Sequence, residues 1–241
     1  PTATPQDSYP VTVSVVDNDG GGSQQQLAVT VQNVYPVIST LATDPAAVEE
    51  GSPLTLNGSF TDVGSRDTHS VTIDWGDGSQ STVTAAAGQF SGSHTYAASG
   101  NYTIGVTLTD DDGGVATAQL DISIGNAIPT LADLSVSSPV AENALATLSG
   151  RVVDAGTLDT HTVRVDWGDG SEASLIQLAA GESEFTATHR YLDDDPTATP
   201  QDSYPVTVSV VDNDGGGSQQ QLAVTVQNVY PVISTLATDP A

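Results

Sequence analysis

Residues 1 to 46 recur without a single change as residues 196 to 241. Drift over such a length would scatter differences, so the two stretches are recent duplicates or are held uniform. A repeat with a period of 195 residues (Pro1 against Pro196) settles the architecture before any single motif does. The chain reads as slightly more than one unit of a polymer copied head to tail. Inside that unit lies a second, looser repeat: Val71-Thr-Ile-Asp-Trp-Gly-Asp-Gly-Ser79 and Val163-Arg-Val-Asp-Trp-Gly-Asp-Gly-Ser171. In each, Val, Ile and Trp alternate with polar residues, the period of a half-buried strand. Gly then supplies the positive φ, and Asp the local hydrogen bonding, of a tight turn. Each unit therefore holds two small domains, each built on a central strand with a buried Trp that runs into a hairpin.

Composition narrows what such a chain can do. Apolar content of 37% with regular Val/Ile/Leu alternation is a folded all-β profile rather than a disordered one. Thirty acidic residues stand against four arginines, for a net charge of −26, and there is no lysine. Phosphate binding needs a basic surface, so nucleic acid is excluded as a partner, and an anionic membrane is disfavoured for the same reason. Divalent cations are the natural counter-charge. Cysteine is absent, which removes disulfides, thiolate zinc sites and cysteine nucleophiles. The missing lysine removes Lys–Asn isopeptide cross-links. No apolar run is long enough to span a bilayer, so no membrane insertion is expected in this segment. With no methionine and a first residue of Pro1, the sequence is expected to be an excerpt of something longer.

The seams share a phrase: Asn33-Val-Tyr-Pro36, Asn126-Ala-Ile-Pro129 and Asn228-Val-Tyr-Pro231. Proline after a strand, with fixed φ and no donor, suits a stiff extended joint. The expected division is a C-terminal hairpin of an upstream domain at 1–33, a domain at 34–126, a second at 127–228, and the first strand of the next domain at 229–241. The first domain is predicted to have strands at Val37–Thr43, Leu54–Thr61, His69–Trp75, Ser79–Ala85, Gln89–Tyr96, Asn101–Thr109 and Val115–Ile124. Seven short strands with turn signals between them make a β-sandwich, with no helix of note. Inward positions are Leu54, Leu56, Phe60, Val71, Ile73, Trp75, Tyr102, Ile104, Val106, Leu108, Leu120 and Ile122. The second domain matches them with Leu148, Val152, Val163, Val165, Trp167, Val206, Val208, Val210, Leu222, Val224 and Val226. It adds a Pro- and Asp-rich segment, 192–203, expected to be a solvated loop.

Trp-Gly-Asp-Gly-Ser, then His94-Thr-Tyr96 or His189-Arg-Tyr191, then a Tyr-led strand ending in Asp-x-Asp-Gly-Gly, resembles the PKD (polycystic kidney disease) domain. The resemblance covers nearly the whole chain and implies tandem Ig-like (PKD-type) β-sandwich domains arranged end to end. It also implies an extracellular or cell-surface setting in a large bacterial or archaeal protein, and no catalytic activity.

Acidic clusters are the main candidates for chemistry. Asp62/Asp154 and Asp67/Asp159 bracket one loop of each domain, and Asp110 and Asp112, or Asp212 and Asp214, flank another. In an Ig-like sandwich both loops lie at the end where the chain enters, and Asp77/Asp169 lie at the opposite end. End-to-end stacking then turns Asp77 towards Asp154, Asp159, Asp212 and Asp214. Calcium takes six to eight oxygens in flexible loops, so these ten aspartates are its candidate ligands and Ca2+ the candidate cofactor. Against this, Asp-x-Asp-Gly is also simply a favoured hairpin turn.

The histidines His69/His161 and His94/His189 recur at matching places in both domains. That points to a fold-supporting bond to a loop carbonyl or carboxylate rather than to a hydrolytic triad or zinc. Tyr102 and Tyr204 read as core or corner tyrosines. Asn57-Gly-Ser and Asn101-Tyr-Thr match the glycosylation pattern, a frequent chance match in a Thr-rich chain. The expected role is a non-catalytic spacer or filament module whose partners are adjacent repeats, in self-assembly or a continuous fibre, with calcium stiffening the joints. The alternatives are an adhesin binding glycan or protein, and the accessory region of a secreted hydrolase.

Overall fold

The structure is a computed structural model that describes residues 6–193, 197 and 199–235. Every regular element among them is a β-strand. The chain parts into two compact units between Gly125 and Asn126.

The first unit opens with a hairpin of β1 (Gln6–Val16) and β2 (Gly22–Gln32) that forms a two-stranded sheet of its own. There follow β3 (Val37–Asp44), β4 (Val48–Glu49), β5 (Pro53–Thr61), β6 (His69–Asp74), β7 (Gln80–Ala85), β8 (Gln89–Thr95), β9 (Gly100–Asp110) and β10 (Val115–Gly125). These make two facing sheets, ordered β4-β10-β9-β6-β7 and β3-β5-β8. Period-2 alternation dictates the packing: Val71 and Ile73 point inward from β6 while Thr72 and Asp74 point out. Trp75, just past the end of β6, is fully buried against Leu54, Leu56, Ile104, Val106 and Leu108.

The second unit repeats the plan with β11 (Thr130–Val136), β12 (Val140–Ala141), β13 (Leu145–Val153), β14 (His161–Asp166), β15 (Ser174–Leu178), β16 (Glu184–Arg190), β17 (Gln201–Asp212) and β18 (Gly217–Gln227). Its sheets are β12-β18-β17-β14-β15 and β11-β13-β16. Trp167 is buried in the same place as Trp75. This is the all-β sandwich that the strand pattern implied, in the Ig-like form that the resemblance implied.

The predicted strands fall within a residue or two of those observed, with four differences. The leading strand is followed by a short one that was not expected: after β3 the chain breaks at Asp44-Pro45, then pairs briefly in parallel with β10 as β4. Proline has no amide to continue the first ladder, so the chain changes sheets there. Tyr102, Leu120, Ile122 and Leu222 are only partly buried; they flank the core rather than fill it. The loop expected at 192–203 ends sooner, because Gln201–Ser203 already pair with Thr225–Gln227. Residues 229–235 join no strand, and 236–241 lie outside the described residues.

Candidate functional site

Two constellations recur in both sandwiches, one at each end of the Trp strand. The first gathers on the Trp-Gly-Asp-Gly turn. Asp77 Oδ1 accepts from the Ser79 amide (2.9 Å) and hydroxyl (2.6 Å), while Oδ2 meets His94 Nε2 at 2.7 Å. The His94 ring stacks on Trp75, with centroids 4.9 Å apart, and Tyr96 donates its hydroxyl to the Trp75 carbonyl at 2.8 Å. Trp75 Nε1 donates to Ser81 Oγ at 2.9 Å, so the buried indole is satisfied. In the second sandwich Asp169, Ser171, His189, Trp167, Tyr191 and Ser174 repeat each bond. Gly76, at φ +82°, permits the turn, and a Cβ there would meet the Thr103 carbonyl at 2.7 Å.

Ser, His and Asp meet here, but not as a hydrolytic relay. His94 faces both Asp77 (2.7 Å) and Ser79 Oγ (3.4 Å) through the same Nε2, while the Ser79 hydroxyl already donates to Asp77. A relay needs the two ring nitrogens to face opposite partners. This arrangement locks a turn. Burial alone would raise the Asp77 carboxyl, but bonds from Ser79 and His94 outweigh it and hold it below the ordinary carboxylate value. Asp169 is held low in the same way. Burial pushes the Tyr96 and Tyr191 phenols up, so both remain neutral donors.

The second constellation lies at the other end of β6. Asp62 accepts the Gly64 amide at 3.0 Å and pairs with His69 Nε2 at 2.8 Å. Asp154, Gly156 and His161 do the same at 3.1 and 2.9 Å. Asp111 accepts the Thr68 amide at 2.8 Å, binding the β5–β6 loop to the β9–β10 turn; Asn213 and Thr160 repeat that bond. Asp110 is buried; one oxygen accepts the Gly114 amide (2.6 Å) and the other the Asn33 side-chain amide (2.9 Å). Asp212 likewise takes the Gly216 amide (2.8 Å) and the Asn126 side chain (2.9 Å).

Of the ten candidate aspartates, Asp62, Asp67 and Asp110 come together, each with an oxygen within 4.8 Å of the others. Asp154 and Asp159 are equally close. Asp112 and Asp214 are at the β9–β10 and β17–β18 turns but outside these groups, and Asp77 and Asp169 are held by their histidines. Partial burial, and then the charges of Asp62, Asp111, Asp112 and Asp110, raise the Asp67 carboxyl above its ordinary value. Three carboxylates at this spacing match the hard oxygen donors calcium takes, although Asp62 and Asp110 already serve the fold.

Two pairs of functional residues escaped the sequence reading. The seam phrase drew attention for its proline, yet its Asn33 and Asn126 tie the seam to the Asp-x-Asp-Gly-Gly turn. Their recurrence at 33, 126 and 228 was the available signal. Tyr96 and Tyr191 hold the corner; Tyr204 lies in the core, as expected, and Tyr102 packs against it, with ring centroids 4.4 Å (Tyr96–Tyr102) and 4.8 Å (Tyr191–Tyr204) apart.

Two facing sheets, a buried Trp on the central strand and a tyrosine tied to its carbonyl define an Ig-like β-sandwich module. Residues 33–124 match the model of the PKD domain family. The second unit shares its strand order, turns and locking bonds. Among solved structures, the tetra-tandem repeat in the extending region of a large adhesion protein aligns over 92% of this chain and 57% of its own, at 15% identity and a TM-score of 0.51. The chain thus spans little more than half of that relative. Fibronectin(III)-like modules of Clostridium thermocellum CbhA align over 78% of this chain and 94% of theirs, at 16% identity and a TM-score of 0.30. No curated protein matches the sequence. No described helix is long and apolar enough to cross a membrane.

Proposed function

We propose that this chain is a non-catalytic structural repeat of a long extracellular fibre or surface protein, in which PKD-type sandwiches act as spacers. The unchanged recurrence of residues 1–46 at 196–241 carries this reading, because it makes the two-sandwich unit the thing that is multiplied. The locked turns support it, since every recurrent histidine is spent on a carboxylate. The extending region of an adhesion protein, which shares the fold, is a setting of the same kind. The exposed tyrosines among the described residues, Tyr9, Tyr35 and Tyr230, sit in the hairpin and the seams rather than on a sandwich face, which favours a spacer over an adhesin.

Calcium belongs to the same proposal. In the first sandwich its ligands are Asp62, Asp67 and Asp110, and in the second Asp154 and Asp159 take the matching places. Small-angle scattering on a protein of two successive 195-residue units tests the spacer role. The maximum dimension should grow in proportion to unit number and contract little when calcium is chelated. A compact particle of freely jointed domains refutes it.

A further inference from the structure

Asn57-Gly58 is the one Asn-Gly pair in the chain; every other asparagine precedes a residue that carries a side chain. Asparagine before glycine is the dipeptide most prone to spontaneous deamidation, because no Cβ hinders the next backbone nitrogen as it approaches the side-chain amide. The packing explains why the pair is there. Gly58 lies in β5, the middle strand of β3-β5-β8, and a Cβ there would sit 2.0 Å from the Phe90 ring. A close-packed interior leaves no room for it, so the glycine is fixed and a chemically vulnerable pair comes with it. The second sandwich has Ser149-Gly150 in the same place, opposite Phe185, with no amide to lose.

Inside the folded sandwich the reaction is held off. Asn57 is exposed on the outer face of its sheet, between Ala42 and Ser91, so water reaches its side chain. The backbone is what resists. Asn57 and Gly58 are paired on both sides, with β3 and with β8. Phe60 donates its amide to the Gly88 carbonyl at 2.9 Å, and the two-residue alternation of an antiparallel ladder turns the Gly58 amide towards β8 as well. An amide committed to a ladder is a poor nucleophile. Closing a five-membered ring also needs Asn57 to leave the extended ψ of about +135°. Unfolding removes both obstacles.

We infer that Asn57 is a latent modification site, shut by the β5 ladder and opened by unfolding of the first sandwich, where spontaneous deamidation writes the event into the backbone. Hydroxide takes the Gly58 amide proton and the nitrogen attacks Asn57 Cγ. The Cγ–Nδ2 bond breaks, and the leaving amide takes a proton from water and departs as ammonia, giving a succinimide. Water then opens one carbonyl or the other, to an aspartyl or an isoaspartyl residue. Isoaspartate puts an extra methylene into the main chain of β5. Gly58 and Phe60 then no longer meet β8 in register, and the sandwich cannot close around Phe90. The inference concerns the first sandwich alone and holds whatever the assembled chain does.

Intact mass and peptide mapping test it, since deamidation exchanges NH2 for OH whereas isomerisation at the Asp-Gly turns changes no mass. In mildly alkaline buffer Asn57 should convert at least about 100-fold faster in unfolding urea than in the native chain. His94→Ala, which removes the Asp77 bond of the first sandwich, should quicken the native rate about 5–30-fold, and His189→Ala should leave it unchanged. Ser149→Asn should install a second site that answers to His189→Ala alone. Chains aged in urea and then diluted should regain the calorimetric transition of the second sandwich and lose that of the first, while Asn57→Ser chains regain both. The inference fails if native and unfolded chains convert Asn57 at one rate, or if His189→Ala speeds it as His94→Ala does. It also fails if chains mapped as isoaspartyl at position 57 recover the first transition in full. Should His94→Ala not fold, a urea titration of the unaltered chain takes its place, and the rate must follow the unfolded fraction of the first sandwich.

Discussion

His94 makes three contacts at once: a 2.7 Å bond to Asp77, a stack on Trp75 and an edge against Tyr96. Replacing it with alanine removes a charge-assisted bond and leaves Asp77 with Ser79 alone. For a partly exposed pair the expected cost is about 1–2 kcal/mol, which lowers the midpoint of the first sandwich by roughly 5–15 °C. His189→Ala should do the same to the second sandwich only, and calorimetry on both variants checks it. The pH dependence follows from sign. Asp77 is held below its ordinary value in the fold, so its contribution is present above the unfolded value of about 3.9 and lost as pH falls through the folded one. Asp77→Asn should therefore lower the midpoint at pH 7 and change it little at pH 2.5. Asp67 has the opposite sign. Its folded value is raised, so its charge opposes folding at neutral pH and the penalty is relieved as pH falls through that value. Asp67→Asn should raise the midpoint in chelator at pH 7 and leave it unmoved near pH 3.

At the scale of the element, glycines show how closely neighbouring strands of one sheet are fitted. Gly58 of β5 faces Phe90 of β8, where a Cβ would meet the ring at 2.0 Å; at Gly150 a Cβ would meet the end of the Leu134 side chain at 2.4 Å and the Phe185 ring at 2.9 Å. A core at native density cannot yield that space, so Gly58→Ala should cost about 1–3 kcal/mol. Gly150→Ala should cost less, and chemical denaturation of each would rank them. No sequence argument could find this pairing, since Gly58 sits among polar residues and Phe90 is the lone large apolar residue of its strand. Strand positions were legible because alternation such as Val71, Ile73, Trp75 is a local signal. The acid groups were legible in part. Two loops rich in Asp announced a shared end, and Asp62, Asp67 and Asp110 do meet there. What stayed hidden was how each carboxylate is spent. Asp62 goes to a histidine seven residues on and Asp110 to an asparagine 77 residues away, and only the fold brings such partners together.

For the whole molecule the governing quantity is a net charge of −26 on 241 residues, with four arginines to offset it. Like charge at this density opposes the compact state and keeps neighbouring molecules apart. Raising monovalent salt from about 0.01 to 0.15 M shortens the screening length from roughly 30 to 8 Å, so the thermal midpoint should climb over that range. Calcium must do more than screen if it occupies the acid groups. Sites in extracellular modules bind with Kd on the order of 10⁻⁴ to 10⁻³ M, so about 10 mM calcium contributes about 1.4–2.7 kcal/mol per site bound only by the folded form. The first sandwich should then gain roughly 6–20 °C over sodium chloride at matched ionic strength. Asp67→Asn should lose that excess while keeping its own gain in chelator. If calcium and matched sodium shift the midpoint equally, the acids act only as a diffuse charge. The rigidity of each sandwich would then rest on the locked turns and the bonds from Asn33 and Asn126.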